Sequence, residues 1–348
     1  MGSNEEMSTG DEWWIYRGTG EPHPGISHLP EAPAWRAFGE FPEKELLEPP
    51  VDAPPATIAR RLGRAHQASS YQADAKEIQL VNLALYLRRP LLITGKPGVG
   101  KSTLAYAVAH ELRLGPVLRW PITSRTTLGD GLYAYDAIGR LHDAGIKRSS
   151  DASSESNIGR YLRLGPLGTA LLPWRTPRVL LIDEVDKSDV DLPNDLLNVF
   201  EEGEFEISEL ARLGPGTHEV MTADHGKTAN IAGGLVRCAQ FPFVVLTSNA
   251  EREFPMAFLR RCIRLEVQPP DERRLAAMVA AHLGGDTDTT SLRTELITEF
   301  LRRQREEDAA LANDQLLNAL LMAERGLWDQ ESGRKVIQDV LLRSLSDG

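Results

Sequence analysis

The residues best suited to chemistry form a glycine-rich stretch, Gly95-Lys-Pro-Gly-Val-Gly-Lys-Ser102, which fits the pattern GxxxxGK[ST]. Gly98 and Gly100 allow the backbone to turn its N–H groups inward around phosphate oxygens, and a helix that opens after them adds a favourable dipole. Lys101 is then placed to reach the β- and γ-phosphates of a nucleotide, and the Ser102 hydroxyl suits Mg²⁺, a hard cation. The alternative is a glycine turn that binds nothing. We expect a phosphate-binding loop.

Two carboxylates follow the apolar run of residues 179–182. If this run is a strand, Asp183 and Glu184 lie at the carboxyl edge of the sheet, beside the phosphates. Phosphoryl transfer needs one group that holds Mg²⁺ through water and one that activates the attacking water as general base. We assign these roles to Asp183 and Glu184 respectively. The alternative is that the two acids cap the next helix.

Further polar residues follow a second apolar run, 243–247. Asn249 comes just after it and has the chemistry to hydrogen-bond the attacking water or the γ-phosphate, although asparagine also makes turns. Arg260 and Arg261 lie a little further along. One guanidinium that faces a neighbouring subunit's γ-phosphate would stabilise transition-state charge. The alternative is that both are surface arginines on a helix.

The pattern around these residues predicts the elements that position them. Short apolar runs at 90–94, 117–120, 178–182 and 243–247 are strand candidates, and apolar residues at helical spacing cover 102–112 and 190–201. Strands that alternate with helices in this way are typical of βαβ units and a parallel sheet. Paired prolines at 269–270 mark a boundary. Apolar stripes at 272–284, 291–304, 313–325 and 333–345 then predict a small helical domain.

Three regions follow from this division: an extension over 1–55, an α/β domain over 56–268 and a helical lid domain over 269–348. The extension is rich in Pro and Gly, yet it contains Trp13, Trp14, Tyr16, Trp35 and Phe38. Exposed aromatic rings are costly, so we expect them to pack on the domain or on a neighbouring subunit. Capture of a separate client is the alternative.

Composition excludes several classes of protein. The chain has 348 residues, and 39 Lys plus Arg against 50 Asp plus Glu give a net charge of −11, which argues against a surface built to grip nucleic acid non-specifically. Two cysteines are too few for a disulfide framework, which favours a cytoplasmic location. No run approaches the ~20 apolar residues of a membrane span, and the N-terminus lacks a secretory signal pattern.

The phosphate loop, residues 181–184 and residues 247–249, in this order, resemble AAA+ ATPases, and more narrowly the MoxR family. The narrower likeness rests on 181–187, 196–205 and 165–172, and the resemblance covers about residues 70–345. It implies a P-loop NTPase fold, that is, a parallel α/β sheet with flanking helices followed by a small all-helical lid domain. It also implies ATP and Mg²⁺ as ligands. The residues expected to contact them are Gly95, Lys96, Pro97, Gly98, Val99, Gly100, Lys101, Ser102, Thr103 and Asp183.

The resemblance also implies residue roles and partners. The Asn of this family senses the γ-phosphate, which gives that role to Asn249, and an Arg acts in trans, which gives that role to Arg261 with Arg260 in reserve. Such proteins form hexameric rings and remodel client proteins, often with a von Willebrand factor A partner. Residues 311–317 are similar to the second-sensor region, but no Arg stands at the start of that helix.

Two points stay open. Residues 121–136 occupy the place of an insertion that faces the ring pore in the family, although Tyr133 and Tyr135, spaced by two, also suit sheet packing. The leading function is a Mg-ATP-driven ring that acts on a protein client. The alternatives are a nucleic-acid motor of restriction or defence type and a scaffold that uses ATP only for assembly.

Overall fold

A five-stranded parallel sheet lies at the centre of the protein. The structure is a computed structural model, and it describes residues 13–51, 71–147, 158–283, 290–306, 311, 313–328 and 331–337. The strands are β1 (Leu91–Thr94), β2 (Leu118–Pro121), β5 (Val179–Asp183), β10 (Phe243–Ser248) and β11 (Ile263–Glu266), in the order β11-β1-β10-β5-β2. All four neighbouring pairs are parallel. The four predicted strands are therefore confirmed, and β11 completes the sheet.

The three central strands, β1, β10 and β5, are buried on both faces, which explains why they are largely apolar runs. Successive side chains of β5 point to opposite faces: Leu180 and Ile182 join one core, and Val179 and Leu181 join the other. Helices α1 (Ala75–Leu87) and α2 (Lys101–Glu111) contribute to the second core, and a helix over Leu192–Glu202 contributes to the first. The sheet therefore holds the ends of β1, β5 and β10 at one rigid edge.

Local signals explain where the helices begin and end. Helix α1 opens with a capping box, in which Asp74 accepts from the Glu77 N–H at 2.8 Å and Glu77 accepts from the Asp74 N–H at 3.0 Å. The helix over Leu192–Glu202 has proline in its first turn and ends at Gly203, whose φ is 64°.

Smaller elements cover the first core. Helices α3 (Leu128–Leu132), α4 (Ala137–Lys147) and α5 (Pro166–Ala170) precede the Leu192–Glu202 helix, α6, and α7 (Ser208–Ala211) follows it. Strands β3 (Tyr133–Tyr135), β4 (Leu162–Leu164), β7 (Thr217–Met221) and β8 (Thr228–Ala232) form a four-stranded sheet, while β6 (Glu204–Glu206) pairs with β9 (Leu235–Arg237). Tyr133 stacks on Phe205 with ring centroids 6.3 Å apart and donates to Glu209. Sheet packing thus accounts for Tyr133, and contact with a pore stays a prediction.

The C-terminal helices form a core of their own. After α8 (Met256–Leu259), helices α9 (Glu272–Leu283), α10 (Thr290–Glu306), α11 (Asn313–Met322) and α12 (Glu331–Val336) are described, with a π-helical turn at Ala323–Leu327. Their buried residues include Leu275, Phe300, Leu320 and Trp328. The first three predicted lid helices are confirmed, and the fourth lies partly outside the described residues. None of the helices in the described ranges combines the length and the apolar composition of a membrane span.

Residues 13–51 pack along the α/β domain as an N-terminal strap, the name we use for this range. Ile15 and Tyr16 are buried in the second core, and Trp14 packs against it. Phe38 stacks on Phe241 with centroids 5.7 Å apart. Packing of the aromatic residues on the domain is confirmed for these rings, whereas Trp35 is 77% exposed. Residues 1–12 and 52–70 lie outside the described part of the chain.

Candidate functional site

The phosphate loop adopts a conformation that only glycine accommodates easily. Gly98 and Gly100 have φ of 76° and 94°, and a Cβ added at Gly95 would lie 2.7 Å from the Val267 carbonyl oxygen. Helix α2 begins at Lys101, directly after Gly100. The backbone N–H groups of its first turn therefore open toward the loop, as anion binding at a helix N-terminus requires.

Lys101 connects the phosphate loop to the end of β10. Its ammonium group donates to Gly95 O at 2.7 Å, Lys96 O at 2.9 Å and Asn249 Oδ1 at 2.7 Å. Burial lowers the pKa of Lys101, and nearby carboxylates, Asp186 foremost, partly offset this effect. The structure thus brings together two residues 148 positions apart that sequence reasoning had assigned to one site.

Asp183 accepts hydrogen bonds on both of its oxygens. Oδ1 accepts from Ser102 Oγ at 2.7 Å and from Thr247 Oγ1 at 2.8 Å, and Oδ2 accepts from Arg119 Nε and Nη2 at 3.0 and 2.6 Å. Burial alone raises the pKa of Asp183, but the hydrogen bonds from Ser102, Arg119 and Thr247 outweigh burial and hold the pKa below its usual value. Asp183 is therefore a carboxylate anion.

Glu184 stands at the end of β5 in the left-handed region, with φ 64° and ψ 50°. This conformation is uncommon for a residue other than glycine, and such residues concentrate at functional sites. The Glu184 N–H donates to Thr247 Oγ1 at 2.9 Å, and its carboxylate accepts from Lys187 Nζ at 2.8 Å. The sharp turn separates the Glu184 side chain from Asp183 and places it on the cleft wall.

Asp186 fixes the backbone of Asn249. It is buried, and its Oδ2 accepts from the N–H groups of Asn249 at 2.8 Å and Glu251 at 3.2 Å. Its Oδ1 is buried with no hydrogen-bond partner among the described residues. The loop that carries Asn249 is thus tied to the turn that follows β5.

These residues surround one cleft of about 670 Å³ between the α/β domain and the lid helices. Eight of the ten predicted contact residues line it: Pro97, Gly98, Val99, Gly100, Lys101, Ser102, Thr103 and Asp183. Gly95 and Lys96 contribute the carbonyl oxygens that accept from Lys101. From the lid, Arg274, Met278, Asn313 and Leu317 complete the wall. The cleft is large enough for a nucleotide.

Two oxygen atoms beside the phosphate loop, from Ser102 and Asp183, are suitable ligands for a divalent cation. Ser102 Oγ and Asp183 Oδ1 lie 2.7 Å apart at the start of α2, and hydroxyl and carboxylate oxygens are the hard ligands that Mg²⁺ prefers. An anionic Asp183 suits a cation further. The same residues would hold Mg²⁺ beside the phosphates.

Most of the α/β domain is similar to a known protein family. Residues 90–261 match the family model described as the AAA domain of the dynein-related subfamily. This part of the chain is similar to AAA domains. Together with the parallel sheet and the C-terminal helices, the match shows an AAA+ P-loop α/β fold, the fold of an ATPase. No curated protein matches the chain.

The two predicted arginines do not line the cleft of their own chain. Arg261 donates through Nε to Glu201 Oε1 at 2.6 Å and through Nη1 to Ala257 O at 3.1 Å. Arg260 is exposed. Neither lines the cleft that contains Lys101. A role for either in hydrolysis therefore requires the cleft of another subunit.

Four side chains at or next to this site were not predicted from the sequence: Arg119, Asp186, Lys187 and Arg274. Arg274 is a lid arginine on the cleft wall, but it comes from α9 rather than from the helix that begins at Asn313. Asp186 and Lys187 belong to the segment 181–187 that carries the family resemblance, but the sequence did not indicate a role for either side chain. The one available signal for Arg119 was a charged residue inside an apolar strand.

Proposed function

We propose that this protein is a MoxR-like AAA+ ATPase that hydrolyses Mg-ATP at the subunit interfaces of a ring, and that it uses the energy to remodel or activate a protein client. The observation that carries the proposal is the convergence of Lys101, Asn249, Asp183 and Glu184 on one cleft. A phosphate-binding lysine, a metal-binding acid and a second acid for water are the parts that phosphoryl transfer requires.

The residues divide the work of hydrolysis. The loop N–H groups and Lys101 bind the phosphates. Ser102 and Asp183 would hold Mg²⁺, which would supply positive charge beside the phosphate oxygens. Water attacks the γ-phosphorus, the bond to the β–γ bridging oxygen breaks, and Glu184 takes the proton of the water as general base. Asn249, fixed by Asp186, orients the water or the γ-phosphate.

The Glu184 carboxylate has to leave its ion pair with Lys187 before it can accept a proton from the attacking water. The paired atoms are 2.8 Å apart, but both side chains are partly exposed. An exposed pair of this kind contributes roughly 0–1 kcal/mol. Its loss is therefore a small energetic cost against the barrier that general-base catalysis removes.

The position of Arg261 supports the ring in this proposal. Because Arg261 lies outside its own cleft, it can stabilise a transition state only on a neighbouring subunit, with Arg260 as the reserve. The family likeness supports a hexamer and a protein client, including a von Willebrand factor A protein. The free, buried cysteines Cys238 and Cys262 support a reducing cytoplasm.

The test measures ATP turnover and its stimulation. We expect Glu184→Gln to keep nucleotide binding and to lose turnover by at least about 10²-fold, while Glu206→Gln, an exposed glutamate on β6, leaves turnover unchanged. Stimulation by casein, a loosely folded model client, supports action on proteins. Stimulation by duplex DNA alone would instead indicate the nucleic-acid motor, and binding without turnover in the wild type would indicate the scaffold.

A further inference from the structure

Glu201, at the end of α6, lies between two arginines from distant parts of the chain. Its Oε1 accepts from Arg261 Nε at 2.6 Å, and its Oε2 lies 3.8 Å from Arg36 Nη1. Arg36 belongs to the N-terminal strap, and Arg261 follows α8. One carboxylate therefore connects the strap to the residue that we assign to a neighbouring subunit's cleft.

Arg36 is the fixed end of this connection. Its residue is only 5% exposed, its Nη1 donates to Phe200 O at 2.6 Å, and its guanidinium lies 5.6 Å from the centre of the Phe241 ring. Burial lowers the pKa of Arg36, and Glu201 acts in the opposite direction. A buried guanidinium is tolerated where it is hydrogen-bonded and paired, so the side chain has little freedom to move.

The strap holds Arg36 in place through packing against the end of α6. Arg36 ends the short 3₁₀ helix Ala34–Arg36, and Phe38, two residues on, stacks on Phe241. Phe38 also lies so close to Gly203 that an added Cβ would be 2.2 Å from its ring. This contact needs a glycine at the end of α6 and fixes the strap there.

Glu201 and Arg261 are less buried than Arg36, since their side chains are 41% and 40% exposed. Without Arg36, the partly exposed Glu201 side chain would sample several rotamers, and the Arg261 side chain bonded to it would follow. Attraction of Oε2 by the fixed Arg36 leaves Oε1 for Arg261 Nε, while Ala257 O holds Nη1. Arg261 Nη2 makes no hydrogen bond within the described part of the chain, so this nitrogen is free for a phosphate oxygen of another subunit.

We propose that Arg36 is a positioning residue for Arg261 and acts through Glu201, so that the strap sets the geometry of a neighbouring subunit's active site. The inference rests on the proposed trans role of Arg261. A loss of alignment by about 1 Å costs up to roughly 10²-fold in rate. We therefore expect Arg36→Met to lower kcat by roughly ten- to hundredfold and to leave the KM for ATP within about twofold, because the strap does not line the cleft.

Mixed rings separate positioning in trans from damage to the fold. Glu184→Gln subunits have an inactive cleft but a correct Arg261, and Arg36→Met subunits have an intact cleft but a displaced Arg261. A mixture of the two is expected to hydrolyse ATP faster than the sum of the separate proteins, because Glu184→Gln subunits supply Arg261 to intact clefts. Arg17→Met, which changes an exposed strap arginine, is the matched control and should keep wild-type turnover.

Two further variants keep the test decisive. Glu201→Gln changes a partly exposed side chain without removing a buried group, and it should show the same gain on mixing. Arg261→Ala mixed with Glu184→Gln tests the trans role itself. A gain with Arg261→Ala but none with Arg36→Met or Glu201→Gln would overturn the inference alone. The lack of a gain with Arg261→Ala would overturn the trans role and, with it, the inference.

Discussion

Arg119 donates two hydrogen bonds to a single oxygen of Asp183, Oδ2, from Nε at 3.0 Å and from Nη2 at 2.6 Å. The other oxygen of Asp183 is used by Ser102 and Thr247. Arg119 is on β2 and lines the nucleotide cleft. A cation at this position stabilises the anionic form of Asp183, but it would also compete with a divalent metal ion for the same carboxylate.

Replacement of Arg119 by Met should therefore tighten metal binding. The Arg119 side chain is 40% exposed, so its attraction to Asp183 is screened and contributes roughly 0–1 kcal/mol. We expect Mn²⁺, titrated in the presence of ADP and followed by electron paramagnetic resonance, to bind up to about fivefold more tightly. Arg125→Met, an exposed arginine in the next loop, is the control. Weaker binding in Arg119→Met than in the control would show that Arg119 helps to hold the nucleotide rather than competing with the metal.

The contact between Arg119 and Asp183 could not be predicted from the sequence. The loop of 95–102 could be predicted because its chemistry, the strand before it and the helix after it are all local. The pair of Arg119 and Asp183 depends on β2 lying beside β5 with Pro121 opposite Asp183, and strand order and register are not encoded in either segment alone. Asp186 was missed for the same reason, since its partner Asn249 arrives from β10.

Glu111 should contribute strongly to stability because it holds the N-terminal strap. It is fully buried at the end of α2, and its carboxylate accepts from the N–H groups of Arg17, Gly18 and Gly20 at 2.6, 3.2 and 3.0 Å. Glu111→Ala leaves these donors without their charged acceptor, so we expect a loss of roughly 3 kcal/mol in the free energy of unfolding. Urea unfolding measures it, with the exposed Glu21→Gln as control. A loss as small as that of Glu21→Gln would mean that the strap does not depend on Glu111.

Arg274 should couple the lid to nucleotide binding. It extends from α9 to Gln72 O at 2.6 Å and to the buried Glu77 Oε2 at 2.8 Å, and it lies 5.9 Å from the centre of the Tyr71 ring. Arg274 also lines the cleft, where a hydrogen bond from its guanidinium to a phosphate would contribute roughly 1.5–3 kcal/mol. Arg274→Met should therefore weaken the binding of a fluorescent ATP analogue by about tenfold or more. The neighbouring Arg273 is exposed, and Arg273→Met is expected to bind like the wild type. Equal affinities of the two variants would contradict this role.

The two cysteines should be unreactive in the folded protein. Burial raises the pKa of both Cys238 and Cys262 to about 12, from an ordinary value of 9.0. The thiols therefore stay protonated at pH 8, and the stability that this protonation provides is lost as pH rises from about 9 toward 12. We expect a colorimetric disulfide reagent at pH 8 to react only at the rate of unfolding, and urea to accelerate the reaction. A fast reaction of either thiol without urea would show that its site opens in the native state.

Steady-state ATP hydrolysis with Mg²⁺ over a range of protein concentrations tests the proposed mechanism directly. It compares the wild type with Glu184→Gln, Arg261→Ala and the reserve position Arg260→Ala. Hydrolysis at shared interfaces predicts a specific activity that rises with concentration to a plateau and collapses in both Glu184→Gln and Arg261→Ala, while Arg260→Ala keeps most of it. Undiminished hydrolysis by Glu184→Gln would contradict the assigned general base and, with it, the mechanism.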